Sequence, residues 1–321
     1  MSNFVDIGVD FCKYLTSLSP QIKDGMLQWY LAGSLATTIV ADAKKITEIK
    51  LDSDNKVIGN GLSIDVTEEQ KEKLTKFSRK LGGDIDVVNV NGNMFDNAPL
   101  DNRPNIQNII RNVPNVLDLM SWNPLYRGSM YIDSLECDRN ISQHCVSIIE
   151  TSKGPVVITS LPEQLAYKLS ETLLLSDALL GKNSSEKREA HYKKDIRDLS
   201  AMFYGFKDLY NKEDFLNRVF SSLKGKENSM FAKEKLIEDS IIQKIINDSM
   251  ATINEFSQDN SNLELRDFLT SLFSMRKKSI EKNDNKTPLQ RREEELSKLE
   301  IESKEYDKIE MLLTQKTNEE K

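Results

Sequence analysis

Short segments with the spacing of apolar and polar residues that favours β-strands occur in the first half of the chain. Residues 48–51 and 56–59 form two such segments, and the four residues between them, Asp52-Ser53-Asp54-Asn55, all favour turns. This arrangement predicts a β-hairpin. Apolar runs rich in β-branched residues predict three further strands, at residues 85–90, 146–149 and 156–159.

Helical spacing of apolar residues occurs in three stretches of the same half. Residues 4–18 and 67–81 are typical of amphipathic helices, and residues 26–43 predict another helix that is interrupted near Gly33 and Ser34. A mixture of strands and helices of this kind predicts an α/β or α+β core for the first half of the chain.

The pattern becomes almost wholly helical from Ser160 onward. Ser160 and Glu163 have the spacing of a capping box, and leucines at helical spacing follow as far as Leu180. A second helix is predicted over residues 186–206. Apolar residues three, four and seven apart then predict a long, charged terminal helix with a narrow apolar stripe, formed by Leu289, Leu296, Leu299, Tyr306, Ile309 and Leu313.

Composition is that of a chain with a packed core and a very polar surface, with 38% hydrophobic and 30% charged residues. The net charge of −7 argues against a broad nucleic-acid surface, although a local basic groove can still hold an RNA end. We expect no membrane contact and a cytoplasmic location, because no apolar run spans a bilayer and the first residues lack the features of a signal peptide. Cys12, Cys137 and Cys145 lack metal-binding spacing, so we expect reduced thiols.

Two carboxylates interrupt the apolar run LGGDIDVVNV at residues 81–90. Asp84 and Asp86 are two residues apart, which places them on the same face of a strand. Like charges in such a run need a counter-ion, and carboxylates suit a divalent cation. Taken alone, the pair is more typical of a turn followed by the start of a strand.

Other candidate residues are weak when each is taken by itself. A Gly33-Ser34 pair within a helix often only permits close packing, although glycine also lets a backbone approach a phosphate. Lys168 is typical of a solvated side chain on an amphipathic helix. Asp195 and Asp198 are typical of helix-surface charges. These residues acquire a functional meaning only in combination.

In combination, the motifs resemble one family, the AbiEii/MenT-type nucleotidyltransferases, which are toxins of type IV toxin–antitoxin systems within the polymerase-β-like superfamily. The motifs follow one another in the family's order: Gly33-Ser34, then Asp84-x-Asp86, then the strand 146–152 with Glu150. Last come SLPEQLAYKL at residues 160–169, which contains Lys168, and KDIRDL at residues 194–199, which contains Asp195. Residues 46–81 stand between the first two motifs, where the family has a short linker, and are interpreted as an insertion.

The resemblance implies an α+β fold: a polymerase-β-like nucleotidyltransferase core with a mixed sheet over residues 1–159, and a helical region over residues 160–321. It also implies a Mg²⁺ site and names its residues. The metal ligands would be Asp84, Asp86 and Glu150, and the nearby carboxylates Asp133, Glu136 and Asp138 stay open as substitutes for Glu150. The nucleotide would be bound by Gly33, Ser34 and Lys168. The catalytic set would be Asp84, Asp86, Lys168 and Asp195, with Asp195 orienting Lys168 or the substrate.

The implied reaction moves a nucleoside monophosphate from an NTP to an acceptor hydroxyl. By resemblance the acceptor is an RNA such as the tRNA 3′ end, and a cognate antitoxin protein is a partner. One alternative is transfer to a small molecule of the antibiotic type, which the acidic net charge favours. Another alternative is a catalytically silent nucleotide-binding or interaction protein, whose site the inserted segment has disabled.

Overall fold

A computed structural model provides the fold of the chain. It describes Val9, Cys12, Lys13 and Thr16, and residues 20–52, 54–77, 84–90, 131–136, 146–180, 185–225, 231, 237–256 and 259–284. The chain forms two compact units, residues 1–272 and residues 273–321. The second unit is helical over its described residues, 273–284. The terminal helix predicted after residue 289 lies outside the described residues.

A mixed sheet of seven strands forms the centre of the first unit. Its strands lie in the order β5-β4-β8-β9-β3-β6-β7. Parallel pairing joins β3 to β9 and β6 to β7, and the other neighbours are antiparallel. The strand bounds are β3 Trp29–Leu31, β4 Lys45–Leu51, β5 Val57–Asp65, β6 Asp84–Asn89, β7 Tyr131–Glu136, β8 Val146–Thr151 and β9 Gly154–Thr159.

The predicted hairpin around residues 52–55 is confirmed. Strands β4 and β5 pair antiparallel, with Leu51 opposite Val57. The turn is held by Asp52, whose backbone N–H donates to the Lys56 carbonyl at 3.0 Å and whose carboxylate accepts from the Lys56 N–H at 2.8 Å. Asn55 takes a φ of 62° there, a conformation that asparagine tolerates better than most residues. Turn chemistry therefore fixes the register of the hairpin.

Two stretches of the segment 46–81 are strands of the central sheet, β4 and β5. Strand β4 lies between β5 and β8, and its residues 45–47 pair with both neighbours. The predicted helix after the hairpin is confirmed as α2, Glu68–Phe77. The two strands within residues 46–81 therefore belong to the core sheet.

The prediction of a helix beginning at residue 26 is wrong, because residues 26–31 form strands. Asp24 and Gly25 have φ values of 51° and 79°, the backbone of a tight hairpin turn that pairs β1 (Ile22–Lys23) with β2 (Met26–Leu27). Strand β3 follows at once, and all three of its residues are buried between β9 and β6. Helix α1, Gly33–Ile39, begins only after β3.

The rest of the described first unit is helical, and the predicted α+β class with a mixed sheet is confirmed. The two helices predicted after Ser160 are present as α3, Leu161–Leu180, and α4, Glu186–Phe206. Helices α5 (Lys212–Gly225), α6 (Asp239–Ile253) and α7 (Ser261–Asp284) follow. Helix α3 packs on α4, α5 and α6, and α4 packs on α2 as well as α6. No helix within the described ranges is both long and apolar enough to cross a bilayer.

Candidate functional site

Strand β6, which contains Asp84 and Asp86, lies directly beside the segment that leads to Gly33. Strands β3 and β6 are antiparallel, and Leu31 pairs with Val87. The chain that continues from Leu31 through Ala32 to Gly33 therefore runs towards the Asp84 end of β6. Gly33 has a φ of 59° and begins helix α1, which packs on β6. Two motifs that are 50 residues apart in the sequence thus meet at one end of the sheet.

The neighbouring strand β7 adds another acidic position to this end. Strands β6 and β7 are parallel, with Asp84 beside Tyr131 and Asp86 beside Asp133. Asp133 was an open substitute for the third carboxylate in the sequence, and the register places it beside Asp86. The side chains of Ser34, Asp84, Asp86 and Asp133 lie outside the described part of the structure. Among the side chains that are described, no three His, Cys, Asp or Glu residues are arranged so that they could hold a metal ion.

Glu150, the predicted third metal ligand, is far from Asp84 and Asp86. It lies in β8, and the strands β9 and β3 separate β8 from β6. Three strand spacings correspond to about 14 Å across the sheet. Glu150 is also displaced along the strand direction. It pairs with Pro155 of β9, whereas the residue of β9 that pairs with Leu31 is Ile158, three residues further on. One ion cannot bridge such a separation, and Glu150 drops out of the ligand set.

A buried hydrogen-bond network holds the turn at Gly33 on both sides. The Thr159 hydroxyl donates to the Leu31 carbonyl at 3.0 Å, and Gln164 Nε2 donates to the Thr159 carbonyl at 2.7 Å. The Thr37 hydroxyl lies 3.0 Å from Gln164 Oε1 and 2.9 Å from the Gly33 carbonyl oxygen. Since Thr37 and Gln164 are 3% and 5% exposed, water does not compete for these bonds. The network fixes α1 against α3.

One helical turn beyond Gln164, Lys168 lies among three carboxylates. Its Nζ is 3.0 Å from Asp195 Oδ1, 2.5 Å from Glu171 Oε2 and 3.9 Å from Asp198 Oδ2. The side chains of Lys168, Asp195 and Asp198 are 15%, 10% and 2% exposed. The structure therefore brings together two predicted site residues, Lys168 and Asp195, from different helices.

The environment restricts what Lys168 can do. An ammonium group on a flexible stem normally samples many positions, but two close carboxylates on different helices hold this one in place. The formal charges of the four groups sum to −2, so a further cation beside them would be favoured and a free anion disfavoured. A phosphate binds Lys168 most easily if it arrives with its own cation, as a metal–nucleotide complex does.

Three residues of this neighbourhood were missed in the sequence: Thr37, Gln164 and Glu171. Each has a local pattern that could have found it. Thr37 is four residues after Gly33, which is one helical turn. Gln164 and Glu171 lie at −4 and +3 from Lys168 and therefore share its face of α3. A search for polar residues at helical spacing around Lys168 would have included both.

Comparison with protein-family models, with curated proteins and with solved structures finds no match for this chain.

Proposed function

We propose that the chain is a Mg²⁺-dependent nucleotidyltransferase that transfers a nucleoside monophosphate from an NTP to an acceptor hydroxyl. The observation that carries the proposal is the sheet register. Asp84 and Asp86 lie two residues apart on β6, Asp133 pairs with Asp86 from β7, and the turn at Gly33 lies beside this end of β6. Helix α3, which is fixed to that turn by Thr37 and Gln164, contains Lys168. These are the residue types that phosphoryl-type transfer requires.

In this proposal Asp84, Asp86 and Asp133 supply the carboxylates of the metal site, since Mg²⁺ prefers oxygen ligands. When bound, the ion would neutralise triphosphate charge and acidify the attacking hydroxyl. The turn at Gly33 and the Ser34 hydroxyl approach the phosphates. Lys168 adds a positive charge, and Asp195 positions Lys168. Attack on the α-phosphorus forms one P–O bond and breaks the bond to the β-phosphate, which releases pyrophosphate.

As the acceptor we propose an RNA such as the tRNA 3′ end, and as a protein partner a cognate antitoxin. Both come from the motifs that resemble the AbiEii/MenT-type enzymes, which include Gly33-Ser34, Asp84-x-Asp86 and Lys168. The second candidate is transfer to a small hydroxylated molecule, and the chain's net charge of −7 favours it. A silent binding protein is less well supported, because the two strands within residues 46–81 lie at the edge of the sheet opposite to β6 and β7 and so do not obstruct the site.

The test is transfer of label from an α-³²P-labelled NTP. The full chain is incubated with each NTP, Mg²⁺ and total tRNA, and the products are resolved on a denaturing gel. We expect label on RNA with the wild type and none with Asp84→Ala/Asp86→Ala. The matched control is Glu150→Gln, which changes a carboxylate elsewhere in the sheet and should keep activity. Absence of label with every NTP, from protein whose circular dichroism shows a folded state, would reject RNA as acceptor.

A further inference from the structure

Helix α4 carries a positive surface on a chain that is acidic overall. Between Glu186 and Arg197 it exposes five cationic side chains, Lys187, Arg188, Lys193, Lys194 and Arg197, and two carboxylates, Glu186 and Glu189. These exposed groups sum to +3, whereas the whole chain has a net charge of −7. These three turns of α4 thus carry a local excess of positive charge.

Part of this charge faces the same direction as the carboxylates around Lys168. At 3.6 residues per turn, Lys187, Arg188, His191 and Lys194 fall on the face of α4 that also contains Asp195 and Asp198. We name these four exposed residues the basic face. It begins at Lys187, about two turns before Asp195, and ends at Lys194, directly before it. The Asp195 carboxylate contacts Lys168 at 3.0 Å. The basic face therefore leads along the helix to the candidate site.

The rotation of α4 about its axis is fixed by contacts on another side. The Tyr192 hydroxyl donates to Asp248 on α6 at 2.8 Å, and Lys244 lies over the Tyr192 ring at 4.8 Å from its centroid. Burial and the hydrogen bond to Asp248 raise the pKa of Tyr192, so the phenol stays a donor. Ile196 and Leu199 are buried. These contacts leave the basic face turned towards solvent.

Helix stability does not explain the basic face. Lys187 and Arg188 lie in the first turn of α4, where the helix dipole favours carboxylates and disfavours cations. Lys193, on the other side, pairs with Glu189 at 2.7 Å. Neither Lys187 nor Lys194 forms an ion pair with any side chain in the described part of the chain. Two exposed lysines that are not matched by carboxylates are suited to a polyanion.

We propose that the basic face binds the phosphate backbone of the acceptor RNA strand and leads its 3′ end to the site beside Lys168. This inference rests on the proposed function, and it identifies the surface that would favour a polynucleotide as the acceptor. Lys187 and Lys194 are seven residues apart, or about 10 Å along the helix axis. Each lysine neutralises one phosphate, so the two lysines make two phosphate contacts on one strand. Small hydroxylated acceptors would gain nothing from such a surface.

The experiment compares two double variants of α4 that remove equal charge, one from the basic face and one from the side that faces away from Asp195. Lys187→Gln/Lys194→Gln removes two charges from the basic face. Lys193→Gln/Arg197→Gln is the matched control, since these side chains are 72% and 65% exposed and face away from Asp195. Binding of a fluorescent single-stranded RNA with a free 3′ hydroxyl is measured by anisotropy from 50 to 400 mM KCl, without NTP.

We expect the basic-face variant to bind the RNA about 10-fold more weakly at 0.1 M salt, with a slope of log K against log salt that is shallower by about 1.4, because each single-strand phosphate contact contributes about 0.7. In the transfer assay its KM for RNA should rise while its KM for NTP stays unchanged. The control variant should match the wild type in both assays.

The inference and the proposed function can fail separately. If the wild type transfers label to RNA and both double variants bind RNA equally well, the basic face is not the acceptor surface, although the enzyme assignment stands. Label on a small-molecule acceptor in place of RNA would overturn the inference as well. If the basic-face variant loses RNA binding and the wild type transfers no label to any acceptor, RNA binding is supported and the enzyme assignment fails.

Discussion

Lys168 is the positive centre of an ionic cluster between helices α3 and α4. Its ammonium group is the positive partner of Asp195 and Asp198, which are almost fully buried, and of Glu171 at the edge of the cluster. Removal of one partner from a buried ionic cluster leaves charges without compensation, and this costs more than the pair contributed. The residue therefore has a structural role in addition to the proposed phosphate contact.

We predict that Lys168→Met lowers the free energy of unfolding by about 3 kcal/mol. Lys193→Met is the control, since it breaks the exposed pair with Glu189 and should cost less than about 1 kcal/mol. Urea unfolding followed by circular dichroism measures both. Addition of Asp195→Asn to Lys168→Met should restore part of the loss, because one uncompensated charge is removed. Equal losses of unfolding free energy for the Lys168 and Lys193 variants would contradict a structural role of Lys168 in the ionic cluster.

The individual site residues were predictable from the sequence to different degrees. Asp84 and Asp86 are visible because two charges interrupt an apolar run. Lys168 and Asp195 are 27 residues apart in sequence, and only the resemblance to a family related them before the structure showed the 3.0 Å contact. The separation of Glu150 from Asp84 and Asp86 was not predictable, because the order of non-consecutive strands is not encoded in any local pattern. The same strand order places Asp133 beside Asp86.

At the scale of elements, the contact between α1 and α3 decides where the turn at Gly33 lies. Thr37 belongs to α1 and Gln164 to α3, and their side chains meet in a buried position. Because Gln164 also donates to the Thr159 carbonyl, the same side chain ties α3 to the end of β9. The position of one helix terminus is thus set by side chains of two other elements.

We predict that Thr37→Val, which keeps the shape and removes the hydroxyl, lowers the free energy of unfolding by about 1–2 kcal/mol. If Gly33 contacts the nucleotide, the KM for NTP should also rise. The matched control is Thr47→Val, whose hydroxyl lies in the exposed hairpin 3.1 Å from Ser63 Oγ, and which should change stability by less than about 0.5 kcal/mol. If the Thr37 variant behaves like the Thr47 variant in both measurements, the hydrogen-bond network does not stabilise the turn at Gly33.

Elements with strong local chemistry were predicted well. The hairpin around residues 52–55 follows from its turn residues, and α3 and α4 follow from their apolar spacing and length. Strand β3 was missed because three buried residues show no period, and buried runs of this length look alike in helices and strands. The Asp24-Gly25 pair before it was the available signal for a hairpin.

At the scale of the first compact unit, ion pairs join the helix that follows the hairpin to the later helices. Lys73 on α2 contacts Asp208 at 2.6 Å, and Lys207 contacts Glu264 on α7 at 2.6 Å. Burial by itself would raise the pKa of Asp208, but the hydrogen bond from Lys73 and the charges of Lys207 and Lys73 hold that pKa below its ordinary value. The charged form of Asp208 is therefore stabilised by folding.

We predict a pH dependence from this carboxylate. A group whose pKa is lower in the folded state stabilises the fold above its ordinary pKa, near 4, and loses that contribution as the pH falls through the folded value. The difference in unfolding free energy between wild type and Asp208→Asn should be largest at pH 5–7 and shrink towards pH 2. Asp267→Asn, which removes an exposed carboxylate beside Arg266, is the control. A difference for Asp208→Asn that is constant over this range would contradict the assignment.

For the molecule as a whole, we propose that strands β6 and β7 together form one acidic site beside the helix that contains Lys168. The most direct measurement is the rate of label transfer from an α-³²P NTP by Asp133→Asn and by Glu150→Gln, each against wild type at saturating Mg²⁺. The account predicts that Asp133→Asn lowers the rate by about 100-fold, whereas Glu150→Gln stays within about twofold of wild type. A loss of transfer with Glu150→Gln and not with Asp133→Asn would contradict the register, and no transfer by folded wild type to any acceptor would contradict the enzyme itself.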